Sequence, residues 1–401
     1  MDDARHPGLP QSFGELLAPF DRERFVLEHY GKAPLHVPGP AARFERLLGW
    51  AGLDGLLAQT SLWSNNSIAM ALSKETLMPD QYCVRGKDRL GDPVRVPDYA
   101  KVVGLMRRGA TLVVNYIDRI DPTVRAIAEM IESVLLAPIT ASAFISWQRV
   151  QGYPPHFDTQ EVFALQVAGH KAWRLYTGRF DRPAKLRGYR PMDLSTEAKQ
   201  QMMGEVESRI ELAPGDLLYV PLGQFHAALA MDEASLHVSF GIARPTAYDY
   251  LSTLLEQLPA DPAFRQPLPL NDDPAGRTAW LADLAERVGA AVGNPARTQE
   301  LAAFQRAKAF ERWGGLTVRD RRVVRRFRVR WIGARMNGDK LTVPGRPPAT
   351  LSPEAAKLAH WAWPQDLIDE RNLVAAMAPM PSPAVAQAVG TLVSAGLLEP
   401  V

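Results

Sequence analysis

Two imidazoles and a carboxylate stand in this chain at spacings that suit a metal ion. Tyr153-Pro-Pro-His156-Phe-Asp158 places a histidine and an aspartate two residues apart, and in an extended segment such residues face the same side. A second histidine, His226, follows a turn and a short apolar run, Leu212-Ala-Pro-Gly-Asp-Leu-Leu-Tyr-Val-Pro221. Two histidines and one carboxylate are the donor set of mononuclear non-heme Fe(II) sites, which keep coordination positions open for other ligands. The pattern predicts that a strand carries His156 and Asp158 and that His226 is delivered at a strand end, beyond a proline turn.

Positioning three donors so far apart in the chain requires a β framework, and the sequence supplies one. Between residues 139 and 243 the apolar pattern shifts toward a period of two, punctuated by Pro and Gly. Strands are expected at 141–149, 160–167, 171–176, 208–212, 216–220 and 235–243, an arrangement that points to a sandwich or barrel. In Ser235-Leu-His-Val-Ser-Phe-Gly-Ile, Leu236, Val238, Phe240 and Ile242 share the packed face, while His237 and Ser239 share the face that can line a cavity. Residues 178–205 carry many charges and are expected to form a loop or lid. Upstream, Thr111-Leu-Val-Val-Asn-Tyr is a strong strand candidate. Asp121-Pro-Thr opens a helix whose stripe of Ala126, Ile127, Met130, Ile131 and Val134 would support a sheet. His29 and His36 sit among short N-terminal elements and are expected to be structural.

The totals narrow the function classes. With 401 residues, two or three domains are expected. The 46 basic and 44 acidic residues leave a net charge of +2, so no global field drives nucleic-acid binding. A single cysteine, Cys83, excludes an intrachain disulfide framework and a cysteine-based zinc site. The opening Met-Asp-Asp-Ala-Arg-His lacks the apolar core of a secretion signal, and no apolar run approaches spanning length, so a soluble, cytoplasmic protein with no membrane association is expected. Residues 246–315 turn helical, with stripes at Tyr248, Leu251, Leu254 and Leu255 and at Leu301, Phe304 and Phe310. In 317–331, Arg326, Arg328 and Arg330 alternate with Phe327, Val329 and Trp331. That strand either meets an anionic partner such as RNA or is a solvated edge protected by charge. Three short helices and a terminal strand close the chain, with Gly396 as the last helix's stop.

From Pro155-His156-Phe-Asp158 through Glu161-Val-Phe-Ala-Leu-Gln-Val-Ala-Gly-His-Lys171-Ala-Trp-Arg-Leu-Tyr176, the chain resembles the JmjC ribosomal oxygenases, as do the His226 segment and Ser235-Leu-His237-Val-Ser239. The resemblance implies a mainly β core, the double-stranded β-helix of the cupin and JmjC jelly rolls. It also implies N-terminal helices, a C-terminal helical dimerisation region and a winged-helix domain. Expected boundaries are 1–245 for the catalytic domain with its N-terminal α/β extension, 246–335 for the dimerisation region and 336–401 for the winged helix. It further implies His156, Asp158 and His226 as Fe(II) ligands, 2-oxoglutarate and O2 as co-substrates, and Lys171 as the cation that binds the far carboxylate of 2-oxoglutarate. Ser239 falls where the family has a hydroxyl residue near the co-substrate. Ser142 stands where asparagine is common, and Phe144 replaces a tyrosine common two residues further on. The implied activity is hydroxylation of a protein side chain, with a histidine or arginine of a ribosomal protein favoured, in a homodimer. Two other readings stay open: hydroxylation of a biosynthetic precursor peptide, and a non-catalytic cupin with a winged helix acting as a nucleic-acid-binding regulator. Trp147 and Tyr153 are expected to border the substrate cleft or to pack. His237, His170 and His360 are expected to be non-catalytic.

Overall fold

The computed structural model describes residues 8–87, 91–147, 150–184, 194–231, 234–269, 274–307 and 325–401. Its strands run β1 (Leu35–Val37), β2 (Ile68–Leu72), β3 (Glu75–Thr76), β4 (Cys83–Lys87), β5 (Pro93–Pro97), β6 (Thr111–Asn115), β7 (Ile139–Ser146), β8 (Glu161–Ala168), β9 (Lys171–Arg179), β10 (Val206–Leu212), β11 (Leu217–Val220), β12 (Gln224–Ala230) and β13 (Ser235–Ile242). Eight of them form one sheet in the order β1-β11-β8-β13-β7-β6-β2-β3, and β10-β9-β12 form a second. The pairs in both sheets are antiparallel. Side chains of the two sheets share one apolar layer: Ala164, Leu218 and Val220 from the first pack with Trp173, Leu175 and Leu212 from the second. This is the antiparallel cupin architecture expected of the sequence.

Two local expectations differ from what forms. His156 belongs to no strand; it makes a single antiparallel bridge to His226. Pro154 and Pro155 lack the N–H groups that a longer ladder would use. His226 is also not at a strand end, since it lies inside β12. Gln224-Phe-His-Ala-Ala-Leu-Ala has no β-branched residue, so its strand character comes from pairing with β9, not from propensity.

The N-terminal elements cover the edge of the large sheet. β1 pairs with β11, and Asp216 fixes the join by accepting from Gly39 N–H at 3.0 Å and from His36 Nε2 at 3.0 Å. The Tyr219 hydroxyl accepts from Gly31 N–H at 2.8 Å and donates to buried Glu161. Helix Pro122–Leu135 backs the sheet with Val124, Ile127, Met130, Ile131 and Val134, and Glu132 accepts from Ile139 N–H at 2.9 Å.

Toward the C-terminus come β14 (Arg326–Val329), β15 (Arg335–Asn337), β16 (Lys340–Thr342), β17 (Ala349–Thr350), β18 (Leu367–Asp369) and β19 (Leu398–Pro400), with helices Pro353–Ala362, Glu370–Met377 and Ser382–Ser394. β14 is the central strand of β18-β14-β19, not a solvated edge. It lies before residue 336 yet pairs with strands after it, so the C-terminal sheet takes in residues on both sides of that expected boundary. Its arginines face carboxylates: Arg326 meets Glu129 at 3.0 Å and Arg328 meets Glu399 at 3.2 Å, and Arg325, just before the strand, meets Glu370. Residues 317–324 of the expected basic strand lie outside the described residues. Gly396, at φ +82°, occupies the left-handed position just past the last helix, as expected.

Residues 1–135, 139–242 and 312–401 cluster as one compact unit, and residues 136–138 with 243–311 as another. Helices Ala247–Gln257, Pro274–Gly293 and Arg297–Ala307 make up the second unit, where Tyr250 meets Phe304 edge-on at 5.4 Å. Phe310 lies outside the described residues. No described helix is long and apolar enough to cross a membrane.

Within the first unit, Asp366 ties the chain's two ends. It is 2% exposed and accepts from Phe13 N–H and from Trp331 Nε1 at 2.8 Å. Arg22 approaches it at 3.5 Å and lies 3.9 Å over the Trp331 ring. Burial pushes the Asp366 carboxyl up, while these donors pull it back. Asp366→Ala leaves the donors without their acceptor and should cost about 3 kcal/mol. A lower urea midpoint at constant slope is expected; an unchanged midpoint would show that the clamp carries no stability.

Candidate metal centre

Backbone pairing brings the first two donors together. His156 N–H donates to His226 O at 3.0 Å, and His226 N–H donates to His156 O at 2.8 Å. The ring centroids are therefore 4.5 Å apart. Each ring spends its Nδ1 on a nearby carbonyl: His156 on Pro154 O at 2.8 Å, His226 on Gln224 O at 2.9 Å. That fixes the tautomer and leaves both Nε2 lone pairs for a metal. Asp158 turns its carboxylate toward them, 3.8 Å from His156 Nε2 and 3.5 Å from His226 Nε2. Between the donors, Phe157 points the other way, 1% exposed, against Phe180 and Phe225. The alternation read from the sequence is thus realised without a strand. Donor atoms of His156, Asp158 and His226 all lie within 4.8 Å of one another. Burial, then the neighbouring His156, pushes the His226 imidazole down to about 4, against the pull of Asp158. A neutral imidazole is the form that binds a cation, so the donor set fits a divalent metal.

The triad opens on a cavity of about 920 Å³ that lies between the two sheets. At its floor Lys171, the first residue of β9, is 4% exposed. Its Nζ lies 3.2 Å from Ser146 Oγ and 3.3 Å from His237 Nδ1, both neutral groups. Ser146 Oγ is in turn 3.0 Å from Thr111 Oγ1. Burial lowers Lys171 to about 7. His237 is pushed well below its usual value, first by burial and then by Lys171. His237 stacks on Phe144 at 4.8 Å, and among the described residues the metal-competent group is the triad without it.

Ser142 and Ser239 face each other across β7 and β13, and both line the cavity. The Ser142 hydroxyl donates to Asn115 Oδ1 at 2.9 Å. Asn115 was not singled out from the sequence. The alternation Thr111, Val113, Asn115 on a strand paired with β7 was the signal, and all three line the cavity. Tyr153 lines it too, with burial pushing its hydroxyl up to about 12. Trp147 instead packs against Trp50 at 5.9 Å. His170 is exposed, and His360 bonds the Ala356 carbonyl of its own helix. The expected lid contributes helix Thr196–Met203, one face of which lines the cavity; residues 185–193 lie outside the described residues.

Residues 114–250 match a family model described as the JmjC domain. The chain is 26% identical over 266 residues to the bifunctional lysine-specific demethylase and histidyl-hydroxylase NO66 of Drosophila persimilis, covering 65% of this chain and 36% of that protein. It is 26% identical over 279 residues to ribosomal oxygenase 1 of Gallus gallus, covering 68% of this chain and 44% of that protein. The chain thus spans less than half the length of these curated relatives. Among solved structures, E. coli YcfD aligns over 95% of this chain and 98% of its own at a TM-score of 0.51 and 16% identity, a likeness of fold.

Lowered to about 7 by burial, Lys171 stands near neutral pH between its charged and neutral forms. A dianion placed against Lys171 favours its charged form, so binding there of a dianion such as 2-oxoglutarate above pH 7 would take up a proton. Affinity should fall by up to about tenfold per pH unit above that value. Calorimetry in buffers of different ionisation enthalpy reads the uptake directly, and Lys171→Met should abolish it. Binding with no proton uptake would place the dianion away from Lys171.

Proposed function

We propose that this chain, which carries a JmjC domain and is related to the ribosomal oxygenases, is an Fe(II)- and 2-oxoglutarate-dependent hydroxylase of a protein side chain, a histidine or arginine of a ribosomal protein. The observation that carries the reading is the triad of His156, Asp158 and His226 opening on the cavity that holds buried Lys171. Bound there, iron with 2-oxoglutarate and O2 supplies oxidation of an unactivated C–H bond, the co-substrate leaving as succinate and CO2. His156 and His226 would hold the metal through Nε2, and Asp158 through a carboxylate oxygen. Lys171 would pair with the far carboxylate, a charge-assisted contact in a water-poor site. Ser142 and Ser239 stand on the same wall with hydroxyls to offer the co-substrate. The layer of Trp173, Leu175 and Val220 keeps water from the centre's back.

The helical unit supports a homodimer. In helix Ala247–Gln257, Tyr248, Leu251 and Leu255 are exposed at helical spacing, and helix Pro274–Gly293 buries no residue. A second copy of the chain is the occupant we propose for that face. The helices and small sheet after residue 325 fit a winged-helix fold. Pairing of Arg325, Arg326 and Arg328 with carboxylates supports a scaffolding role for it over nucleic-acid binding. A cytoplasmic location suits a ribosomal target.

Ribosomal proteins incubated with the chain, Fe(II), 2-oxoglutarate and O2 should gain one oxygen at one side chain by mass spectrometry, with matching succinate. Asp158→Ala should abolish both; succinate from that variant would refute the triad. Leu251→Glu with Leu255→Glu should shift sedimentation to the monomer, and an unshifted dimer would place the interface elsewhere.

A further inference from the structure

Three successive cross-strand pairs of β7 and β13 face the cavity: Phe144 with His237, Ser142 with Ser239, and Thr140 with Gly241. The first pair adjoins Lys171, whose Nζ lies 3.3 Å from His237 Nδ1. The last lies four residues further along β13, roughly 13 Å at the rise of an extended strand. There β13 has no side chain, and Gln160 takes the space. A methyl group on Gly241 would stand 2.7 Å from Gln160 Oε1, 3.2 Å from its Cδ and 3.6 Å from its Nε2. The carboxamide therefore lies across bare backbone. His156, Asp158 and Gln160 stand at every second position and all line the cavity, so the amide continues the row of metal donors. It is half-buried, and among the described residues it has no hydrogen-bond partner. A partly enclosed amide with uncommitted donors and acceptor calls for a partner from outside the chain.

The identity of that partner rests on the hydroxylase reading above. With the co-substrate's far carboxylate at Lys171, the Gly241 end of the wall is the part left to the target. A target side chain directed at the triad brings its own main chain alongside, and each peptide unit carries one N–H and one C=O. A carboxamide offers the matching acceptor and donor side by side. We infer that Gln160 is a target-binding residue. Its carboxamide, held across Gly241, accepts from the N–H and donates to the C=O of main chain next to the hydroxylated residue. Recognition through this contact reads the target as a polypeptide, whatever its side chains.

Two substitutions separate this from a structural role. Gln160→Ala removes the carboxamide. Gly241→Ala keeps it but drives its flexible end from its place, on a backbone that is ordinary strand. Each should raise the concentration of ribosomal proteins that half-saturates succinate release by about three- to tenfold. The double variant should be no worse than Gln160→Ala alone, since the added methyl then displaces nothing. The 2-oxoglutarate affinity of the Zn(II)-loaded chain should not move in any of the three. The ribosomal peptide that gains oxygen then serves as the probe. N-methylation of its peptide nitrogens one at a time should find a position that costs the unaltered chain about tenfold and costs Gln160→Ala nothing. Unchanged half-saturation in Gln160→Ala, additive losses in the double variant, a parallel loss of 2-oxoglutarate affinity, or N-methyl penalties that Gln160→Ala retains at every position overturns the inference and leaves the hydroxylase reading intact. Absence of 2-oxoglutarate turnover by the unaltered chain overturns that reading and this inference with it.

Discussion

The site depends on one pair of backbone hydrogen bonds. The reciprocal bonds between His156 and His226 close the small sheet onto the loop that carries His156 and Asp158. They set the separation of two imidazoles that are remote in the chain, and the Nδ1 bonds then set their orientation. Because the constraint is carried by main chain, side-chain identity at these positions is free to serve chemistry. The third donor follows from it, since Asp158 is two residues from the bridge and its own carbonyl is held by Gly223 N–H at 3.1 Å.

Around that bridge the fold separates charge from bulk. The layer behind β9 is apolar and aromatic, and Trp173 lies against the rings of both His226 and His237. Into this layer the chain places a lysine whose near neighbours are a hydroxyl and a neutral imidazole. A buried cation with neutral partners is unfavourable in an empty pocket. The same arrangement favours a ligand that brings its own negative charge, which gives the cavity selectivity before any shape is considered.

The rest of the molecule holds this arrangement from outside. Asp366 joins the first helix to the C-terminal segment, and Asp216 joins β1 to the sheet edge. Both are buried carboxylates surrounded by donors, where charge is tolerated because it is fully engaged. The arginines of β14 obey the same rule: a strand that reads as a basic surface is the centre of a sheet, with its cations matched to glutamates from elsewhere in the chain.

The sequence by itself determined the alternation at His156, Phe157 and Asp158, most of the strands from β7 to β13, and the two faces of Ser235–Ile242. These are local properties: period-two hydrophobicity and turn residues act within a few positions. It also offered His226 and Lys171, the latter through the family resemblance. Tertiary structure decided the rest. Gln224–Ala230 is a strand because β9 pairs with it, since its alanines have little preference of their own. Asn115 reaches the cavity because β6 lies beside β7, and helix Thr196–Met203 reaches it because the chain at its C-terminal end is tied to β9. Arg326 and Arg328 are neutralised by Glu129 and Glu399, partners that no window of neighbouring residues contains. Period and turn chemistry are written along the chain, whereas neighbours across a sheet are chosen by the packing of the whole core.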